Sequence, residues 1–206
     1  MKVLVAIPYL KSRQELREAI ASFRHKDVEI LLIDNSNDTG VAKELNDNDH
    51  FICNKKNLYV NPAWNQAMSY FLDGEWDVLV IANSDVVILD GWVEILTTKL
   101  GEDKTVWSPS IRKTEEDYDG GIGVPGFCMI LPKKAVEIVY PIPHQLKIWF
   151  GDSYIFRKLV GLGWRVMVLA DMKARHHISK TILSLPEALG IIEQDKLAWE
   201  GIVGLL

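Results

Sequence analysis

Short, continuous apolar runs alternate with helical segments along most of this chain. Val3–Ile7, Val28–Asp34 and Asp77–Asn83 are each typical of a strand covered on both faces, because their apolar residues are consecutive. Apolar residues at helical spacing fill the stretches between them. This alternation predicts a parallel sheet with helices on both faces. We therefore expect an α/β fold, a three-layer α/β/α sandwich with a mostly parallel central sheet.

Capping patterns predict where several helices begin. The run from Ser12 to Glu15 has the form of a capping box, and apolar residues at helical spacing follow it. Asn61 followed by Pro62 is typical of an N-cap and a first-turn proline. Asp90 is expected to cap a third helix.

The second half of the chain is less regular. Residues 112–126 are polar and contain four glycines, which predicts a mobile loop. Strands are expected at residues 127–131 and 164–170, and helices at residues 132–139 and 152–162.

Length and composition exclude several protein classes. A chain of 206 residues is one domain, or one domain plus a tail. The net charge of −5 argues against a nucleic-acid partner, which would favour a basic surface. Two cysteines cannot build a disulfide framework, so we expect a reducing, cytoplasmic location. No stretch reaches the roughly 18 apolar residues that span a bilayer, and no signal peptide is expected.

The C-terminal residues mix apolar and charged positions in a pattern that fits an amphipathic helix. Such a helix could pack on its own domain, on a second subunit to form a homodimer, or on a membrane surface. We expect it to pack on its own domain.

Polar residues follow the buried strands where ligands bind in open α/β sheets. Pro8 and Tyr9 follow the first strand, Asp34 ends the second, and Asp85 follows the third. A carboxylate in this position suits Mg²⁺ or Mn²⁺, which bind one or two protein carboxylates plus phosphate oxygens and water. His176, beside His177 near the last strand, is a candidate second ligand. Each acid could instead cap a helix or a turn.

Asp152 is a third chemical candidate. It follows an aromatic run at the start of a predicted helix, so it could act as a general base or only as an N-terminal acid. Cys53 and Cys128 lack any motif and are interpreted as small buried residues. No Walker A, GxGxxG, GxSxG or HExxH pattern occurs, which weakens several other enzyme classes.

Five ordered segments between residues 2 and 179 resemble the GT-A glycosyltransferases of the family-2 type. They are VEILLIDNSNDTG, NKKNLYVNPAWNQAM, LVIANSDVVILDGWVEIL, GFCMILPKKAVEIV and FGDSYIFRKLVGLGWRVMVLADMKARHH. The resemblance implies a GT-A catalytic domain at residues 1–180, with a donor half at 1–110 and an acceptor half at 111–180. Residues 181–206 would form a C-terminal helical tail.

The resemblance also implies roles for individual residues. Asp34 would contact the base of a nucleoside-diphosphate sugar, with UDP the favoured nucleotide, and Asn57 and Asn65 would frame the nucleoside pocket. Pro8, Tyr9 and Asn83 are placed with them in the donor nucleotide site.

The same resemblance implies a metal site and a base. Asp85 and His176 would hold Mn²⁺ or Mg²⁺ on the donor diphosphate, and Asp152 would deprotonate the acceptor hydroxyl. The implied enzyme is non-processive and inverting, and it moves one sugar to a saccharide or another hydroxyl acceptor. In the family pattern Glu-Asp-x-Asp, this chain has Gly151 and Tyr154 at the outer positions and keeps only Asp152.

Two other classes remain open from the sequence. A nucleotidyltransferase would normally carry a glycine-rich basic loop after its first strand, and PYLKSRQE contains no glycine. A catalytically silent nucleotide- or sugar-binding module would explain the missing acids around Asp152.

Seven tryptophans are more than a core of this size needs. Sugar rings stack on aromatic faces, so tryptophans near the acceptor side are candidate platforms. We choose Trp149, three residues before Asp152, first and Trp107 second.

Overall fold

The computed structural model of the chain describes residues 1–112, 114–176 and 186–206. His177 and the expected domain boundary at residues 180 and 181 lie outside the described residues. Within these ranges the strands are β1 (Val3–Tyr9), β2 (Val28–Asp34), β3 (His50–Cys53), β4 (Val78–Ala82), β5 (Val86–Ile88), β6 (Thr105–Ser110), β7 (Tyr118–Asp119), β8 (Cys128–Pro132) and β9 (Arg165–His176). The helices are α1 (Arg13–Phe23), α2 (Val60–Leu72), α3 (Trp92–Lys99), α4 (Lys133–Val139), α5 (Gly151–Gly161) and α6 (Ala188–Val203), with 3₁₀ turns at Thr39–Glu44 and Gly121–Gly123.

All strands of the described residues belong to one sheet in the order β3-β2-β1-β4-β8-β6-β9-β5, with β7 also paired to β9. The first four strands in this order are parallel, as predicted. β8 runs antiparallel between β4 and β6, and β5 and β7 run antiparallel to β9. The other six strands run in one direction, so the central sheet is mostly parallel, as predicted. The chain leaves β6 and enters β8 at the same end of the strands. β8 therefore runs antiparallel to β6.

Helices cover both faces of the sheet, which confirms the three-layer sandwich. Along β1, Leu4 and Ala6 join one buried cluster, which contains apolar residues of α2, α4 and α5. Val5 and Ile7 point into the opposite cluster, which contains residues of α1 and α3. Consecutive residues of a strand point to opposite faces, so a strand between two helical layers must be apolar throughout.

The predicted helices exist, but none of them begins with the predicted side-chain capping hydrogen bond. Ser12 has a left-handed backbone (φ 68°) and no capping side-chain hydrogen bond to α1. α2 starts one residue before Asn61, and Gly91, not Asp90, occupies the N-cap of α3. Asn61 donates its side-chain hydrogen bond to the distant Trp149 carbonyl instead of capping α2.

The segment expected to be a mobile loop at residues 112–126 contains β7 and a 3₁₀ turn. Asp117 anchors it, since its carboxylate accepts hydrogen bonds from the Ala170 backbone N–H and from Lys99 Nζ, both at 2.7 Å. Burial alone would raise the pKa of Asp117, but these hydrogen bonds and the positive charge of Lys99 outweigh burial and lower it.

The predicted C-terminal helix is confirmed as α6, and it packs on its own domain. Ala188 and Ile192 contact Ile148, and the ring of Trp199 stacks on that of Phe150 at 5.4 Å. None of the helices in the described residues is long and apolar enough to cross a membrane.

Candidate functional site

A cavity of about 640 Å³ opens at the carboxyl ends of β1, β2 and β4. The parallel register aligns those strand ends, because Tyr9 pairs with Asp34 and Ala6 with Ile81. Residues from the second half of the chain form the opposite wall. The cavity therefore lies where the fold class predicts a ligand site.

Asp85 and His176 meet on the floor of this cavity. β5 begins at Val86, which pairs with His176 at the end of β9, so the preceding Asp85 lies beside the histidine. The distance from Asp85 Oδ1 to His176 Nε2 is 3.4 Å, and both side chains are largely buried. The imidazole also stacks on Phe127 at 5.0 Å, which fixes its plane.

This pair fits a divalent cation. One carboxylate and one imidazole are ligands that Mn²⁺ accepts, and substrate phosphates and water complete such sites. Among the described residues, no group of three or more histidine, cysteine, aspartate or glutamate side chains could hold a metal by itself. Two protein ligands would leave the other coordination positions of such an ion to water or to a bound ligand.

Asp152 lies in the first turn of α5 and lines the same cavity. Its Oδ2 accepts a hydrogen bond from the Gly126 N–H at 2.9 Å, and its Oδ1 accepts one from the Ser153 N–H at 2.8 Å. Oδ1 also accepts from the Ser153 hydroxyl at 3.5 Å, so Oδ2 is the oxygen that keeps a second lone pair for a ligand. A side chain at position 126 would collide with Asp152, so the glycine lets this backbone approach the carboxylate.

Gly151 explains one departure from the family pattern. A Cβ at this position would overlap Asn61 Oδ1 and lie 3.0 Å from the ring of Trp64. Asn61 is fully buried and donates from Nδ2 to the Trp149 carbonyl at 2.9 Å. The space beside Asp152 that an acidic side chain would need is thus taken by an amide from α2.

The structure brings four of the expected donor residues to the cavity: Pro8, Tyr9, Asn57 and Asn83. Burial and the nearby charge of Asp38 raise the pKa of Tyr9, so its phenol keeps its proton and can donate a hydrogen bond. Asn57 Oδ1 accepts from the Tyr59 N–H at 2.9 Å, which shapes the wall in front of α2.

The resemblance predicts that Asp34 contacts the nucleotide base, but the structure places its side chain elsewhere. Its side chain is fully buried and does not line the cavity, because its carboxylate lies beneath the loop that follows β2. It accepts hydrogen bonds from the N–H and hydroxyl of Ser36 and from the Cys53 thiol at 3.5 Å. In this structure the Asp34 carboxylate holds the loop that follows β2, and its contact with a nucleotide base stays a prediction.

The structure also places Asn65 and Trp107 away from the cavity. Asn65 lies outside the cavity lining, and its side-chain amide exchanges two hydrogen bonds with the backbone of Ile142, at 2.9 and 2.8 Å. It therefore joins α2 to the segment after α4. Trp107 is 1% exposed inside the core on β6, so no sugar can stack on it.

Trp149, by contrast, lines the cavity and is 46% exposed. An exposed indole at a cavity rim can offer its face to a sugar ring. Of the two tryptophans chosen from the sequence, the structure leaves only this one available to a ligand.

Sequence reasoning missed Asn35 and Arg112. Asn35 lines the cavity in place of its neighbour Asp34, and its Oδ1 accepts from Asn54 Nδ2 at 2.8 Å. Arg112 follows β6. Among the described residues, it is the only lysine or arginine that lines the cavity. The rule that ligands bind at strand ends could have found both residues, because each lies just beyond a strand.

Comparison with known proteins gives one family match. The family model described as "Glycosyl transferase family 2" matches residues 4–138. None of the curated proteins matches the sequence.

Several solved structures share the fold at low sequence identity. A crystal structure of GalNAc-T7 with UDP, GalNAc and Mn²⁺ superposes with a TM-score of 0.72 at 14% identity, covering 85% of this chain and 43% of that one. TarS 1–349 from S. aureus gives 0.67 at 16% identity, covering 95% and 69%, and TarS has also been crystallised with UDP and with UDP-GlcNAc. A197 from STIV gives 0.58 at 17% identity and covers 87% of both chains. The chain thus spans less than half the length of the GalNAc-T7 chain that it resembles.

Proposed function

Because the chain belongs to glycosyl transferase family 2, we propose that it moves one sugar from a nucleoside-diphosphate sugar to an acceptor hydroxyl, with inversion at the anomeric carbon. The observation that carries this proposal is the shared cavity. It contains Asp85 beside His176, two side chains of the types that bind divalent metals, and a separate carboxylate, Asp152.

The donor would lie along the strand ends, with its nucleoside beside Tyr9 and Asn57 and its diphosphate towards Asp85 and His176. UDP is the nucleotide we favour, because structural neighbours have been crystallised with UDP and UDP-GlcNAc. Mn²⁺ or Mg²⁺ held by Asp85 and His176 would neutralise the negative charge that develops on the departing diphosphate.

Asp152 would act as the general base. Its carboxylate takes the proton of the acceptor hydroxyl as that oxygen attacks the anomeric carbon and the bond to the diphosphate oxygen breaks. The Gly126 and Ser153 N–H groups hold the carboxylate in one orientation throughout this step. A correctly oriented base typically contributes about 10²–10⁴-fold to the rate.

The missing acids at positions 151 and 154 keep a second candidate function open, a catalytically silent module that binds the nucleotide. This alternative and the enzyme differ in turnover and not in binding. A cytoplasmic location also stays a prediction, based on the two unpaired cysteines.

The test combines a ligand screen with one substitution. Nucleoside-diphosphate sugars, with and without Mn²⁺, are first screened for a shift in melting temperature, because a ligand of the folded state stabilises it by mass action. Transfer and donor hydrolysis are then measured for the chain and for Asp152→Asn. Asparagine keeps the shape but cannot take the proton, so we expect kcat to fall by about 10²–10⁴-fold with nucleotide affinity unchanged.

Glu137→Gln, which neutralises an exposed acid on α4, is the matched control and should leave kcat unchanged. Wild-type kcat in Asp152→Asn would contradict the base assignment. Binding without turnover across the whole donor panel would support the silent module, and no stabilising nucleotide at all would contradict both.

A further inference from the structure

The segment immediately before Asp152 is held by a fully buried carboxylate from the C-terminal helix. Asp195 on α6 is 0% exposed. Its Oδ1 accepts a hydrogen bond from the Lys147 N–H at 2.8 Å, and its Oδ2 accepts from Ile148 and Trp149 at 2.7 and 2.8 Å. Successive backbone N–H groups that converge in this way form an anion-binding concavity.

The same segment is held from the opposite side by α2. The Lys147 carbonyl accepts from the Asn61 backbone N–H at 3.0 Å, and the Trp149 carbonyl accepts from Asn61 Nδ2 at 2.9 Å. Asn61 and Asp195 are both fully buried. Asn61 therefore satisfies carbonyl groups of the segment, and Asp195 satisfies its N–H groups. Together these hydrogen bonds leave residues 147–149 little freedom.

This segment is part of the cavity wall. Ile148, Trp149 and Phe150 line the cavity, and Asp152 follows two residues later in α5. Phe150 has a left-handed backbone (φ 61°) and stacks on Trp199 of α6, with the two ring planes within 5° of parallel. A change in the contacts of α6 must therefore move the wall and the start of α5 together.

Burial makes the role of Asp195 specific. Within residues 1–112, 114–176 and 186–206 no lysine, arginine or histidine forms a salt bridge with it, so its charge is compensated by the three backbone N–H groups. A buried carboxylate without such donors would be strongly unfavourable. The side chain is thus committed to this one segment.

We propose that Asp195 is a positioning residue for the acceptor side of the cavity. It sets Trp149 at the rim and Asp152 at the start of α5 without touching substrate. This inference rests on the proposed function for its catalytic consequence. It also assigns a part of the active site to α6, which lies outside the residues matched by the family model.

The test uses the full chain and Asp195→Asn, whose amide NH₂ would face a backbone N–H in place of an acceptor. Hydrogen exchange of the amides of residues 147–149 should become at least about tenfold faster, with the sheet amides unchanged. The acceptor KM should rise about tenfold or kcat should fall by as much, because a lost buried hydrogen bond removes 1–3 kcal/mol and each 1.4 kcal/mol is tenfold. The affinity for UDP with Mn²⁺ should stay unchanged.

Glu193→Gln is the matched control, since it removes the same charge from an exposed position on the same helix. Trp199→Leu is a milder second variant, which removes the stacking on Phe150 but keeps an apolar contact. It should accelerate exchange in the same segment to a smaller extent.

Unchanged exchange at residues 147–149 in Asp195→Asn would overturn the inference, and so would an equal loss of acceptor and nucleotide affinity. The exchange measurement needs no substrate. If the wild-type chain transfers no sugar, the proposed function fails, whereas the exchange result still decides whether Asp195 positions the wall.

Discussion

The two walls of the cavity are built in different ways. The proposed donor wall consists of the ends of parallel strands, and residues such as Pro8 and Tyr9 reach the cavity because β1 ends there. The proposed acceptor wall at residues 147–152 contains no strand and depends on side chains from α2 and α6. The first wall is thus part of the sheet, whereas the second depends on a few long-range hydrogen bonds. Substitutions that act on one wall only can test this difference.

The largest expected effect is on the donor side. Asp85→Ala removes one of the two proposed metal ligands, and we expect the affinity for Mn²⁺ in the presence of UDP to fall by at least about 100-fold. Titration of Mn²⁺ by calorimetry with UDP present would measure it. Asp90→Asn, at an exposed acid a few residues further on, is the control. An unchanged Mn²⁺ affinity would remove Asp85 from the metal site.

Gly151→Ala probes the acceptor wall alone. The added methyl overlaps Asn61 Oδ1, so the hydrogen bonds that Asn61 makes to residues 147–149 must shift. Overpacking of this kind costs about 1–3 kcal/mol of unfolding free energy. Urea unfolding would measure the loss. Gly190→Ala in α6 meets open space and should not destabilise the protein. Equal stability of Gly151→Ala and Gly190→Ala would show that the wall is less tightly packed than the structure indicates.

Trp149→Ala separates the two walls kinetically. Loss of the indole face should raise the acceptor KM by about two- to tenfold, in line with the roughly 0.5–1.5 kcal/mol typical of an aromatic contact, and should leave the donor KM unchanged. Trp149→Phe keeps an aromatic ring, so its acceptor KM should lie between the values of the wild type and of Trp149→Ala. Equal changes in both KM values would return Trp149 to a purely structural role.

The smallest effect concerns pH. The lowered pKa of Asp117 means that its stabilising contribution is complete above the unfolded pKa near 4 and is lost as the pH falls through the lower folded value. Asp117→Asn should therefore reduce the unfolding free energy by about 1 kcal/mol at neutral pH, with a smaller difference in acid. Melting temperatures at pH 7 and pH 3 would show this, with Glu116→Gln as the exposed control. A difference independent of pH would contradict the ion pair with Lys99.

The same contrast explains what the sequence could predict. The apolar runs of β1, β2 and β4 determine both the strands and the edge at which Pro8, Tyr9 and Asp85 lie, because parallel strands end together. Asp34 shows the limit of this rule. It lies at the correct edge, but whether a strand-end side chain points into the cavity or beneath a loop depends on the backbone direction after the strand.

Long-range partners account for the remaining errors. Asn61 has the local signature of a helix cap, yet its hydrogen bonds go to residues 147 and 149, far along the chain. Trp107 is near the acceptor side in sequence, but the antiparallel insertion of β8 encloses it in the core. No local pattern marks Asp195 as the partner of three distant N–H groups.

The hydrogen bonds that Asp195 of α6 accepts from residues 147–149 can form only late in synthesis. A growing chain makes the parallel strands first and Asp195 only after the whole sheet has been translated, and domains generally begin to fold from the N-terminal side. The wall at the strand ends can therefore form while the opposite wall still lacks its anchor. In a nascent protein at that stage, the segment at residues 147–149 would be exposed on the side that Asp195 later covers.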